Sequence, residues 1–277
     1  MTAASPVSTT PHPPLPSRQV AWILFALSLG GFAIGTSEFV VMGLISEIAR
    51  DLGVTEPQVG HVISAYALGV VVGAPVLAIL GAKRPRRSLL IGFMAFYAVG
   101  NFACALAPGY NSLLLARFIA GLPHGAYFGV AALVAAHISP PGQRGTAVAR
   151  VMLGLSVALL IGNPLATWMG QQIGWRSAFV LVSLLAVATM GALATVLQSH
   201  LMDVARDAQT LAAASHHAAF NAANALGPWL AGLAITAGYG WTSSGYVGAA
   251  TAFAGLLIYL WAQRDLRMRQ DLAEPAR

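Results

Sequence analysis

The chain has 277 residues, of which 57% are hydrophobic and 9% charged, and its mean hydropathy is +0.70. A soluble domain carries about 25% charged residues, so this composition excludes an ordinary water-soluble globule and makes lipid the main solvent. The net charge of +6 does not point to nucleic acid, because the basic residues fall between apolar runs instead of along one helix face.

Residues 1–19 hold five of the 15 prolines among Ser and Thr, with Arg18 as their one basic side chain. This segment is predicted to be a disordered cytoplasmic tail. A membrane-spanning helix needs about 20 mostly apolar residues. Eight runs fit that length: 20–45, 59–80, 89–107, 112–137, 151–169, 177–196, 211–237 and 245–262. The first run is too long for a signal-peptide core, and no small-residue cleavage site follows it, so it is expected to remain as an anchor. The connectors are short and rich in turn formers, as in Ala107-Pro108-Gly109-Tyr110-Asn111 and Ser139-Pro140-Pro141-Gly142. Strand-like alternation is absent from the runs, which argues against a β-barrel. The prediction is an all-α membrane protein with eight transmembrane helices. The single cysteine, Cys104, lies in an apolar run and reads as a small core residue.

With the N-terminus in the cytoplasm, 12 of the 15 Lys and Arg residues fall on the cytoplasmic side: Arg18, Lys83, Arg84, Arg86, Arg87, Arg144, Arg150, Arg206, Arg264, Arg267, Arg269 and Arg277. Only Arg50 and Arg176 fall outside. This asymmetry predicts a multi-pass inner-membrane protein with both termini cytoplasmic, and an even number of spans agrees with it.

Of the nine acidic residues only Glu38 lies within a span, and Arg117 is the one basic residue within a span. Charges at such depth are costly, and they pair or face water. Each lies roughly 8–11 Å below the outer edge, at about 1.5 Å per residue. They are expected to approach each other or to share a water-filled cavity. His124 sits about two turns deeper than Arg117 on the same face. These three groups suit proton coupling, since Glu38 can take up a proton and release Arg117, and an imidazole titrates near neutral pH. A static ion pair with a hydrogen-bonded core histidine is the alternative. In the seventh run His217, Asn221 and Asn224 share a face and either line a substrate path or bond between helices. Rows of glycine at Gly31/Gly35, Gly69/Gly73 and Gly121/Gly125/Gly129 predict close helix packing. His216 points away from His217, so no metal pair is expected there. The chain shows no HExxH, Walker loop, nucleophile elbow or dinucleotide fingerprint. Neither a catalytic residue, nor a metal, nor a cofactor is predicted.

Several runs resemble the major facilitator superfamily, specifically its drug:proton antiporter branch near the arabinose-efflux and chloramphenicol-resistance permeases. Residues 35–44 of the first span, Gly35-Thr36-Ser37-Glu38-Phe39-Val40-Val41-Met42-Gly43-Leu44, are similar to that branch's signature. Gly81-Ala82-Lys83-Arg84-Pro85-Arg86-Arg87 resembles the family's gating loop, with Ala82 and Pro85 where an aspartate and a glycine are usual. Ala116-Arg117-Phe118-Ile119-Ala120-Gly121 resembles the motif whose arginine is linked to proton coupling. Gly162-Asn163-Pro164-Leu165-Ala166 is similar to the antiporter motif, in which Gly162 and Pro164 suit a hinge, and Gly174-Trp175-Arg176 also matches.

The resemblance implies that residues 20–197 form the N-terminal six-helix bundle. After a cytoplasmic loop at 198–210, residues 211–262 would then be the last two helices of the second half, and 263–277 a cytoplasmic tail. Four central helices are missing from that pattern. The family's cavity lies between two halves that rock against each other. The polar face of the first and fourth spans must then meet the last two spans, another copy, or lipid. The implied function is proton-coupled efflux of a small molecule, a drug, sugar or amphipathic metabolite, by alternating access. Glu38, Arg117 and His124 would serve coupling, and these three with Asn221 and Asn224 would line the cavity. Lys83, Arg86 and Arg87 would gate. A non-transporting membrane protein, as a remnant, a homo-oligomer or a partner of a full-length copy, is the alternative.

Overall fold

With lipid as solvent, a spanning backbone has no water to bond, so its N–H and C=O groups must pair within the segment. The computed structural model describes residues 15–197 and 207–273, and their regular elements are helical throughout. In chain order they are α1 (Ser17–Val40), α2 (Ile45–Leu52), α3 (Glu56–Gly81), α4 (Arg86–Ala105), α5 (Tyr110–His137), α6 (Arg144–Val157), α7 (Asn163–Ile173), α8 (Arg176–Val196), α9 (Asp207–Ala234) and α10 (Ser243–Ala273). Among the described residues six helical segments are long and apolar enough to cross a membrane. These are Ser17–Leu52, Glu56–Gly81, Arg86–Ala105, Tyr110–His137, Pro141–Ile173 and Arg176–Val196. They correspond to the first six predicted runs. The helices α9 and α10 coincide with the seventh and eighth.

Boundaries differ from expectation in three places. The first run is not one α-helix, since a 3-10 turn over Val41–Leu44 separates α1 from α2. The loop expected at 198–210 gives way to helix at Asp207, and α10 runs past residue 262 to Ala273. Local signals explain the sharper ends. Gly53 takes φ +64° and closes α2, and the Thr55 side chain with Gln58 caps α3. The fifth run also bends. A π-turn at Ala158–Gly162 precedes α7, and the Asn163 N–H reaches back to Ala158 O. Pro164 has no N–H to continue the ladder, so the break falls at the predicted hinge.

The packing is built on α3 and α5, which lie side by side. On one side α9 covers both, and on the other α4 joins α5 to α8; α1 runs against α6, α8 and α5. Two seams set these distances. A Cβ at Gly121 would stand 2.2 Å from Tyr66 O, and one at Gly69 would stand 2.1 Å from Phe118 O. Along α1 and α6, a Cβ at Gly154 would stand 2.0 Å from Ser28 O. The glycine rows are therefore packing seams, as predicted for Gly31, Gly35, Gly69, Gly73 and Gly121.

Two predictions follow from this packing. Gly154→Ala forces backbone apart and costs about 1–3 kcal/mol, read as a fall of several degrees in the unfolding temperature of the detergent-solubilised protein. Gly92→Ala meets nothing within 4 Å and leaves that temperature unchanged or raised. The docking of α9 is tested by oxidation. A Cβ built at Gly60 lies 3.9 Å from Pro228 Cβ, and one at Gly232 lies 3.8 Å from Pro57 Cβ, both within the 3.5–4.5 Å range of disulfides. In a Cys104→Ala background, the pairs Gly60→Cys/Pro228→Cys and Gly232→Cys/Pro57→Cys cross-link. Failure of both pairs removes α9 from this position.

Candidate functional site

Arg117 on α5 has no exposed surface. Its NH1 donates to Ser37 O at 3.2 Å and to Ser37 Oγ at 3.1 Å. Its guanidinium carbon stands 4.0 Å from the centroid of the Tyr66 ring on α3 and 5.7 Å from that of Phe179 on α8. Cation–π contact in a desolvated site is worth up to about 2 kcal/mol, which supports a cation that has no carboxylate against it. The Ser37 hydroxyl in turn donates to Asn101 Oδ1 on α4 at 2.5 Å, and Asn101 Nδ2 donates to Tyr97 O at 2.9 Å. One cation thus holds side chains from α1, α3, α4 and α8.

Glu38 was expected to approach Arg117 or to share a water-filled cavity with it. It lies one residue beyond Arg117's ligand on α1, but the two do not form an ion pair. Among the described residues the one pair within 4.0 Å is Arg176–Asp51. The reason is local. The guanidinium is taken up by Ser37 and by the Tyr66 face, while Glu38 turns to α9, where Asn224 Nδ2 donates to its Oε1 at 3.0 Å. Glu38 is 4% exposed, and its Oε2 has no protein donor among the described residues; Arg117 Nε and NH2 likewise have no acceptor. A carboxyl and a guanidinium therefore lie close, each half-satisfied, without forming an ion pair. Such groups keep a high electrostatic stake in whatever next approaches them.

The remaining candidates divide. His124 is buried, and its Nδ1 lies 3.0 Å from Tyr66 OH, so the expectation of a common face with Arg117 is met through Tyr66. Asn221 is buried in α9 one turn from Asn224. The side chain of His217 lies outside the described residues. Ser64 Oγ on α3 donates to Ala225 O at 2.7 Å, a second tie between α3 and α9. The polar face of α1 and α5 thus meets α9, one of the three partners the sequence left open. In the basic loop Lys83 is exposed and Arg86 partly buried, whereas Arg87 NH2 donates to Ala194 O at 2.8 Å and holds the end of α8. At the opposite end Asp51 accepts from Trp175 Nε1 at 2.9 Å and from Arg176, whose guanidinium lies 4.2 Å from the Trp175 centroid. Both ionised partners are substantially exposed, so this clasp contributes little energy.

Sequence reasoning missed Ser37, Tyr66, Tyr97 and Asn101. The available signal was a run of polar side chains inside apolar spans, of which the charged ones, His124, and His217, Asn221 and Asn224 of the seventh run were singled out.

A family model described as Major Facilitator Superfamily matches residues 27–197. The chain is 45% identical over 172 residues to the inner membrane transport protein YdhP of Escherichia coli (strain K12), covering 62% of this chain and 44% of that protein. It is 40% identical over 168 residues to the putative transporter AraJ of the same organism, covering 61% and 43%. With the chloramphenicol resistance protein of Streptomyces lividans it shares 38% over 156 residues, covering 56% and 40%. The chain therefore spans less than half the length of these curated relatives. Among solved structures, the proton:xylose symporter XylE bound to 6-bromo-6-deoxy-D-glucose superposes with a TM-score of 0.60 at 14% identity, over 82% of this chain and 56% of that one. That likeness concerns the fold.

The clamp generates a prediction. Ser37→Ala removes a hydroxyl bonded to a buried cation, at a cost of about 1.5 kcal/mol, visible as a lowered unfolding temperature in detergent. Ser177→Ala, on an exposed hydroxyl that bonds only Gly174 O, leaves it in place. Equal effects of the two substitutions contradict the clamp.

Proposed function

The chain belongs to the Major Facilitator Superfamily, a multi-pass membrane transporter family and not an enzyme family, and from that membership we propose that it exports a small molecule across the cell inner membrane in exchange for protons. The observation that carries this reading is Glu38, a buried carboxyl with one oxygen on Asn224 and the other without a protein donor among the described residues, beside a cation that is held elsewhere. A carboxyl in that position changes charge when it gains or loses a proton, and the change is felt by Arg117 and by α9. Burial of so few charges in an apolar bundle makes each of them count.

In this reading Glu38 carries the exchanged proton, Arg117 supplies the fixed positive field, and His124 is a second titrating group. Glu38, Arg117, His124, Asn221 and Asn224 line the path of an amphipathic substrate, and chloramphenicol is a reasonable first probe because a relative is named for resistance to it. The helices α9 and α10 complete eight spans with both termini cytoplasmic, in keeping with the Lys and Arg asymmetry. The loop at Lys83, Arg86 and Arg87 gates the cytoplasmic side, and the π-turn before Pro164 supplies the bend for alternating access, with Gly162 as its last residue. The 44% coverage of a relative also suits a second reading, a non-transporting partner of a full-length copy or of itself.

Everted membrane vesicles separate the two. Under the export reading, chloramphenicol or another member of a drug panel releases protons from energised vesicles, and Glu38→Gln lowers that release at least about tenfold, the scale on which loss of an essential acid–base group is read. If well-folded protein moves no protons with any member of the panel, the partner reading replaces it.

A further inference from the structure

Charge is shared unevenly between the two ends of the bundle. At one end Arg50 and Arg176 stand with Glu47, Asp51 and Glu56. The other end carries seven Lys and Arg side chains, from Arg18 to Arg150, and no carboxylate from the six spans, since neither Asp nor Glu occurs between Glu56 and Asp203. Orientation accounts for a surplus of Lys and Arg there. It does not account for the lack of Asp and Glu, which weigh little in it. Residues 203–277 do not make up the difference, because their five acidic residues are matched by five arginines of their own. Among the described residues none of the seven cations forms an ion pair, and Arg87 alone donates a side-chain hydrogen bond, to Ala194 O.

This charge is concentrated where three helices end together. The helix α4 begins at Arg86, α5 beside it ends at His137, and after a turn over residues 138–143 α6 begins at Arg144. The positive fields of Arg86 and Arg144 both reach the His137 ring. His137 and Arg144 are exposed and Arg86 is half-buried. Neither α4 nor α6 has an acidic residue in its first turn, where an arginine works against the helix dipole. Gly142 and Gly145, on either side of Arg144, have nothing within 4 Å of a Cβ position, so the approach to that guanidinium is open. We infer that Arg86, His137 and Arg144 form a binding site for the phosphodiester headgroup of an anionic phospholipid. Guanidinium forks match phosphate oxygens, and an imidazole has an N–H to donate in either charge state. A lipid suits the place better than a soluble phosphate does. The cluster lies at the end of spanning helices, where basic pockets take such headgroups. Apolar surface for acyl chains is at hand in Ile79 and Leu80, exposed on the last turn of α3, and on the open side of α4 at Gly92. The inference rests on the chain spanning a membrane and not on export. Arg86 also belongs to the loop proposed as a gate, so the site is tested by binding and not by transport.

The experiment is a lipid titration of the whole chain purified in detergent, with native mass spectrometry counting the lipids retained. The probes are dioleoylphosphatidylglycerol, the zwitterionic dioleoylphosphatidylcholine, and inorganic phosphate as a competitor. Phosphatidylglycerol is expected to bind at least about tenfold more tightly than phosphatidylcholine. Arg86→Gln and Arg144→Gln each weaken its binding at least about tenfold, the scale of a hydrogen bond to a charged group. Arg18→Gln, at the same end but on α1, changes it by no more than about fivefold, the scale of diffuse attraction between a basic side chain and an anionic surface. The unfolding temperatures of the lipid-free variants check that all three are folded. Equal retention of the two lipids overturns the inference. An Arg18→Gln effect as large as that of Arg144→Gln also overturns it, since the attraction is then an unlocalised field. Displacement of phosphatidylglycerol by inorganic phosphate, beyond that caused by chloride at equal ionic strength, replaces the lipid site with one for a soluble anion. If the lipid binds as expected and vesicles show no proton-coupled export, the inference stands and the export reading falls.

Discussion

A guanidinium without exposed surface, set inside an apolar helix, is the constraint around which this bundle is arranged. Removing such a charge from water costs several kcal/mol, and the chain offsets that cost without a neighbouring carboxylate bonded to it. A carbonyl, a hydroxyl and an aromatic face do so, drawn from two other helices. Each works only at a fixed separation. The Tyr66 face can lie at 4.0 Å from Arg117 because Gly121, one turn along α5, admits the Tyr66 carbonyl where a side chain would collide. The glycine seam and the buried cation are therefore one design: the seam sets the distance, and the cation uses it.

Holding Arg117 in this way leaves Glu38 to act as a group of its own. A carboxylate locked against an arginine would be a structural pair with little left to report. Here the carboxylate reaches α9, through Asn224, and its second oxygen lacks a protein donor among the described residues. The helix that covers α3 and α5 is thus joined by a side chain to the one acidic group that is buried among the described residues. Protonation of Glu38 alters the strength of that bond, since a charged acceptor bonds about twice as strongly as a neutral one. This supplies a physical route from a proton to a helix, which is what the proposed coupling of export to protons requires.

Much of this was legible in the sequence. The first six spans follow from run length and hydropathy. Glu38, Arg117 and His124 stand out because charge and imidazole are rare among apolar residues. The break near Pro164 follows from a missing N–H. The partnering of these groups was not legible. Nothing in the order of residues distinguishes a carboxylate that meets Arg117 from one that sits a residue past its ligand and turns to α9. Tyr66, Tyr97 and Asn101 escaped notice for a related reason. Tyrosine and asparagine in a span often serve packing or a single interhelical bond, and their gathering into one chain depends on the angles at which α3, α4 and α5 cross. The turn at Val41–Leu44 escaped too, since no proline or glycine pair marks its start.

The claim that carries the account is that Glu38 exchanges its proton with water while Arg117 remains clamped. Infrared difference spectroscopy of the protein in lipid, recorded between alkaline and acidic medium, tests it directly. The expected result is a protonated-carboxyl C=O band that appears on acidification and is missing in Glu38→Gln. A spectrum with no Glu38 band at any pH at which the protein remains folded contradicts that claim.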